Sequence, residues 1–141
     1  MPTSPNNEWN QKLIEQFHAN GGKVAGMVAG TYLPLALLTT TGAKSGQQRI
    51  TPVTYMQEGD RLFVSASNGG MPSNPDWYYN ILAYPEVTVE LGDQTFQAKV
   101  VVITGKERDE LYAKQAKLMP NYEEYQRQTT RVIPVVELLR Q

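Results

Sequence analysis

The chain has 141 residues, a formal net charge of −1, one histidine and no cysteine. That length fits one domain with a real core, and the near-neutral balance argues against nucleic acid as the main partner. The absence of cysteine excludes a disulfide framework, a thiol nucleophile and a thiolate metal site. With His18 alone, neither a histidine metal cluster nor a Ser/His/Asp triad can be assembled within the chain.

Residues 1–10 are polar and lack the apolar run of a signal peptide, and no stretch is long and apolar enough to span a bilayer. The expected address is cytoplasmic. Ser4 or Asn6 is placed to cap a helix from about Glu8 to Ala19, with Trp9, Leu13, Ile14 and Phe17 on one face and Gly21-Gly22 as its stop. His18 falls in the last turn, where a solvent-facing role is expected. Residues 23–34 mix Val24, Met27 and Val28 with Gly26 and Gly30. Loop, short helix and lid all stay open there, an exposed apolar lid or peripheral membrane contact among them.

From Leu35 the pattern turns to β. Leu35–Thr41, Ile50–Met56, Arg61–Ser67, Glu86–Leu91, Thr95–Ile103 and Arg131–Leu139 are expected strands, rich in branched and aromatic residues. Gln57-Glu58-Gly59-Asp60 and Gly92-Asp93 read as hairpin turns, so the second and third strands pair, as do the fourth and fifth. Asn74 as cap, Pro75 at the first helical position and Pro85 as stop frame a helix between them. Another starts at Thr104, with Glu107 completing a capping box and Leu111, Tyr112, Leu118 and Met119 directed inward. Hairpin connections without a βα rhythm imply a mainly β, α+β fold: an antiparallel barrel with helices packed outside. Residues 1–34 would form a helix and lid-like segment, and residues 35–141 the barrel core of a single domain.

Three polar stretches stand out against this frame. The first is the turn from Gly42 to Pro52. Its glycines permit a sharp bend, while Lys44, Ser45 and Arg49 bring cationic and hydroxyl groups to it. Exposed amides, an ammonium and a guanidinium suit a phosphate. Ala43 stands where a P-loop needs glycine, and Thr51–Tyr55 reads as strand rather than as the helix of a dinucleotide fingerprint. A solvated hairpin loop with basic residues for solubility is the competing account. The second stretch, Ser65 to Tyr78, passes from hydroxyls and paired glycines into a helix whose first turn carries Trp77, a groove wall or a core residue. In the third, Tyr122 and Tyr125 lie one helical turn apart and place both phenols on one face, for packing or for donating to a substrate.

Taken together, Thr39–Arg49, Ser65–Gly70, Asn74–Asn80, Tyr122–Tyr125 and Arg131–Val135 resemble the deazaflavin-dependent nitroreductase family, and the resemblance covers nearly everything from Leu35 to Glu137. It implies a split β-barrel of the FMN-binding type that binds coenzyme F420, an 8-hydroxy-5-deazaflavin with a phosphate and an oligoglutamate tail. On that resemblance Lys44, Ser45, Gly46 and Arg49 would hold the phosphate and tail. Pro52, Val53 and Thr54 would line the ring, and Ser67, Asn68, Gly69, Gly70 and Trp77 would close the groove. Two positions depart from the family pattern. Asn68 stands where members often carry a basic residue, and Met119 where some carry a further tyrosine. Lys23 and Arg131 are the other cations that would bind the tail if affinity rose steadily with its length.

The implied chemistry is hydride transfer from the reduced deazaflavin to an enone, quinone or nitroaromatic, with the protein supplying position and electrostatics. Tyr122 is the first candidate to protonate or hydrogen-bond the acceptor oxygen, with Tyr125 and Ser67 behind it. A carrier of the deazaflavin or of an apolar ligand, or an FMN-binding barrel, is the alternative. The expected state is a monomer or weak homodimer.

Overall fold

The computed structural model describes residues 7–25 and 30–141. The proposed caps Ser4 and Asn6, and Gly26, Met27 and Val28 of the lid-like segment, lie outside them. Six antiparallel strands close into a barrel: β1 (Leu35–Thr41), β2 (Gln48–Glu58), β3 (Arg61–Ser65), β4 (Glu86–Leu91), β5 (Gln94–Ile103) and β6 (Val135–Arg140), in the order β1-β2-β3-β6-β5-β4. Both expected hairpins are present, with Tyr55 opposite Val64 and Val89 opposite Phe96. Closure comes from β6, which inserts between β3 and β5, and from β1, which pairs with β4, so that each of these six strands is flanked on both sides. Among the described residues four helices surround the barrel: α1 (Asn7–Ala19), α2 (Asp76–Ala83), α3 (Gly105–Leu118) and α4 (Asn121–Arg127), and a short 3₁₀ turn spans Asn68–Gly70.

Side chains alternate across each strand, and the alternation sorts the core into three parts. Ala36, Leu38, Val53, Val64, Val89 and Val136 fill the barrel, and Trp77 and Ile81 of α2 pack with them. Leu35 and Leu37 face the other way and meet Ile14, Phe17 and Val24. Met56, Phe63, Ile103 and Val135 face Leu111 and Tyr112 of α3 and Tyr122 of α4. A buried apolar side chain of this size contributes about 1.5–3 kcal/mol relative to exposure, so each helix is held by a few such residues.

Several expectations shift. Trp9 is 64% exposed, because only the C-terminal half of α1 lies over the strands. That half ends as expected at Gly22, whose amide donates to Phe17 O and whose Cα abuts Gly92, leaving no room for a Cβ. His18 is half exposed and bonds Glu90. β6 begins at Val135 rather than Arg131: Pro134 has no amide to give a ladder, and the Ile133 amide donates to the Gln126 side chain. On α3 the buried stripe is Arg108, Leu111, Tyr112 and Gln115, and Leu118 is 69% exposed where the helix runs past the barrel. Thr104 does sit at the N-cap of α3, but its side chain makes no capping bond. α2 starts one residue late, with Pro75 rather than Asn74 at its cap position, because the Asn74 side chain is drawn to Arg131.

Candidate functional site

Four amides of the β1–β2 loop are spent on the fold. Gly42 N donates to Gln47 O, Gly46 N to Gly42 O, Gln47 N to Ser45 Oγ at 3.1 Å, and Ala43 N to Asn80 Oδ1 at 3.0 Å. The expectation that exposed amides of this turn meet an anion is therefore corrected at these four positions. The polar side chains the loop and its flank carry beside these spent amides are those of Lys44, Ser45 and Arg49. Gly46, at φ 70°, makes the reversal in open space. The loop is fixed from below by Asn80, a buried residue of α2 that also donates to Thr40 Oγ1 at 3.2 Å. Arg49 lies across from Thr40 and belongs, by alternation, to the inward series of β2 at the barrel rim.

The outward series of β2 forms the next part. Ile50 is 43% exposed, and Pro52 and Thr54 are half-buried. Val53 points into the barrel core, so only its main chain belongs to this face. From Gln48 to Thr54 the strand runs about 20 Å, at about 3.4 Å per residue. At its far end Thr54 Oγ1 and the Tyr122 hydroxyl share a short hydrogen bond. Burial pushes the Tyr122 phenol above its ordinary value, hydrogen bonding from Thr54 and Ser67 opposes this, and Tyr125 adds to it. The phenol therefore stays protonated at neutral pH. Tyr122 is held in place from behind, where Tyr112 donates to Tyr122 O, and the Tyr122 and Tyr125 rings pack at 5.4 Å. Tyr125 is half-buried, and its hydroxyl accepts from Asn121 at 2.8 Å.

Below α4 runs the connection from β3 to α2. Asn68 adopts φ 48°, a region asparagine tolerates, and its side chain donates to Ser73 O. Gly70, at φ 81°, packs against the Tyr125 backbone, where a Cβ would stand 3.0 Å from Tyr125 Cα and O. Its freedom serves the close approach of α4, and its amide is bonded to Ser67 O. Trp77 is a core residue, 6% exposed among barrel-filling side chains.

The structure thus brings Thr54, Ser67, Tyr122 and Tyr125 together, sets Asn68 to Gly70 beside them, and places Lys44, Ser45 and Gly46 at the other end of β2. It separates Val53 and Trp77 from that face, and by alternation it sets Arg49 on the inward side of β2 at the barrel rim. Among the described residues, a cavity of about 630 Å³ lies elsewhere between α3 and α4, lined by Tyr112, Ala116 and Pro120, and another of about 420 Å³ lies between Tyr32, Tyr55 and Leu91. Cations at one end, an apolar strip and hydroxyl donors at the other match a ligand with an anionic tail and a flat ring carrying polar edges. The donor set thus fits a deazaflavin with a phosphate. Sequence reasoning did not assign a role to Asn80, Arg108 or the side-chain contacts of Arg131. A buried Asn or Arg carries no periodic signal, because its burial depends on partners distant in the chain.

The family model described as F420H(2)-dependent quinone reductase matches residues 9–140. An F420H(2)-dependent quinone reductase of Mycobacterium tuberculosis is 35% identical over 129 residues, covering 88% of this chain and 85% of the relative. Among solved structures, an F420-H2 dependent reductase (FDR-A) shares 37% identity with a TM-score of 0.68, over 77% of this chain and 99% of its own. A second, described as a domain-swapped dimer, shares 34% with a TM-score of 0.70, over 96% of this chain and 99% of its own. A split barrel with a cationic loop and a hydroxyl-lined strand face, matched along nearly its whole length, places this chain in the F420H2-dependent quinone reductase family, oxidoreductases that use coenzyme F420.

Proposed function

We propose that this chain transfers a hydride from reduced coenzyme F420 to a quinone-type acceptor, with the cofactor lying along the outward face of β2. The observation that carries this is the polarity of that face: Lys44 and Ser45 at one end, Ile50 and Pro52 along it, and the Thr54–Tyr122 hydroxyl pair at the other. When bound, the reduced deazaflavin supplies the hydride. Lys44 and Ser45, joined over the barrel rim by Arg49 from the inward series of β2, hold the phosphate and glutamate tail, with Gly46 giving the loop its bend. Pro52 and Thr54, with the main chain of Val53, support the ring, and Ser67, Asn68, Gly69 and Gly70 flank its edge. Tyr122 holds a proton at its phenol oxygen and donates toward the acceptor as charge develops there, with Tyr125 and Ser67 as further donors. Enones and nitroaromatics are the other acceptors of this chemistry. The working state is a monomer or weak homodimer in the cytoplasm, with peripheral membrane contact through the N-terminal segment, where Trp9 and Tyr32 are exposed.

Titration of the chain with coenzyme F420, followed by oxidation of the reduced cofactor with menadione, cyclohexenone and a nitroaromatic, tests the reading. The dissociation constant should rise with ionic strength. Arg49→Ala should weaken binding by about 1.5–3 kcal/mol, the range for hydrogen bonds to charged groups. Binding without turnover would make the chain a carrier, and a preference for FMN would replace the cofactor.

A further inference from the structure

Arg131 sits where no strand ladder organises the chain, at the meeting of α4, the end of β3 and the connection to α2. Its guanidinium donates from Nε to Met71 O at 3.0 Å, from Nη1 to Asn74 Oδ1 at 2.7 Å and Ala66 O at 3.3 Å, and from Nη2 to Ser67 O at 2.8 Å. A guanidinium has five N–H donors in a fixed plane, so these bonds occupy nearly all of them. Three of the acceptors are main-chain carbonyls that bracket the 3₁₀ turn. That turn passes through three successive residues of positive φ, Asn68, Gly69 and Gly70, and its own bonds are few: Gly70 N to Ser67 O, Met71 N to Asn68 O, and Asn68 Nδ2 to Ser73 O. Converging carbonyls repel one another unless a cation lies between them.

The main chain of Arg131 is fixed as firmly as its side chain. Gln126 Nε2 donates to Arg131 O at 2.7 Å, while Gln126 Oε1 accepts from Ile133 N and from Arg108 Nη2. Arg108, buried on α3, also donates to Ile133 O. Two arginines and one glutamine thus tie α3, α4 and the approach to β6 to the turn that carries Ser67.

We propose that Arg131 is a positioning residue: its guanidinium holds Ser67 and the Asn68–Gly70 turn in the geometry in which they meet the deazaflavin ring, and does not serve as a cation for the anionic tail. This rests on the reading that Ser67 to Gly70 flank the ring. A lysine in its place offers a point charge without the planar fork and can serve only part of the acceptor set.

The test uses the full chain, Arg131→Lys, Arg131→Met and Asn74→Ala, each titrated at low and high salt. The ligands are coenzyme F420 and the tailless deazaflavin, which keeps the ring and ribityl chain but lacks phosphate and glutamates. The expected result for Arg131→Met is an affinity loss of about 10-fold for both ligands, independent of salt, with a lower kcat and little change in the KM for menadione. Arg131→Lys recovers part of the loss. Asn74→Ala, which leaves every charge in place, shows a smaller loss of the same pattern and carries the test if Arg131→Met does not fold. Hydrogen exchange at the Gly70 and Met71 amides should accelerate while the Val64 and Val136 amides do not change. A loss confined to the tailed cofactor and screened by salt would make Arg131 a tail cation and overturn the proposal. Faster exchange with unchanged affinity and turnover would also overturn it, as a purely structural clamp. Failure of the unsubstituted chain to bind either deazaflavin would instead overturn the cofactor reading on which it rests.

Discussion

Asn80→Ala removes a side chain that ties α2 to the β1–β2 loop. Two hydrogen bonds disappear, from Ala43 N at 3.0 Å and to Thr40 Oγ1 at 3.2 Å, and Thr40, a buried residue, loses this partner. At about 0.5–1.5 kcal/mol net for each bond, the expected cost is about 1–3 kcal/mol. At roughly 3 °C per kcal/mol for a chain of this size, the melting temperature should fall by about 3–9 °C. The loop should loosen as well, since Ala43 precedes Lys44, and coenzyme F420 should bind about 3-fold to 10-fold more weakly, equivalent to about 0.6–1.4 kcal/mol. Thr40→Val provides the dissection. It deprives Asn80 of one partner but keeps the bond to the Ala43 amide, so it should cost stability with little change in affinity. Urea unfolding and calorimetric titration on both variants read the two quantities. Native stability in Asn80→Ala, or an equal affinity loss in Thr40→Val, would refute the reasoning.

Gly70→Ala should destabilise by more than Gly69→Ala, although both residues have positive φ, because only at Gly70 does a Cβ meet the Tyr125 backbone; equal unfolding midpoints would contradict the packing argument. Tyr122→Phe should lower turnover by about 10-fold to 100-fold while cofactor affinity changes little, since the ring and its packing are kept; single-turnover kinetics and titration on the same variant separate a proton donor from a wall of the site. Stability should fall above pH ~10. There unfolded tyrosines ionise, while burial keeps Tyr112, pushed up to about 12, and Tyr122 protonated in the fold. The unfolded state then binds fewer protons, so unfolding is favoured as pH rises toward 12; urea midpoints across pH 8–11.5 check the sign, and an increase would reject it.

The strands of the barrel were legible because period-two alternation and hairpin turns are local properties. Leu35–Thr41 and Glu86–Leu91 coincide with β1 and β4, and the Gly59 and Gly92 turns pair the strands they join. The same alternation, carried one step further, already separates Val53 from Pro52 and Thr54, yet it does not say which face closes around a core. That depended on β6 entering between β3 and β5, a long-range pairing with no local signature. The basic loop and the Tyr122–Tyr125 face were readable as chemistry, since the residue types stand close in sequence. Their surroundings were not. Whether an amide in the Gly42–Gln47 turn is free or spent, whether Trp77 is wall or core, and where Asn74 directs its side chain are decided by Asn80, by the barrel interior and by Arg131. Asn80 lies 37 positions from Ala43, and Arg131 lies 57 from Asn74. Local sequence determined which segments extend, turn and coil; tertiary structure alone decided which polar groups are consumed by the fold and which remain for a ligand, because hydrogen-bond satisfaction in a buried site is settled by partners that only folding brings within reach.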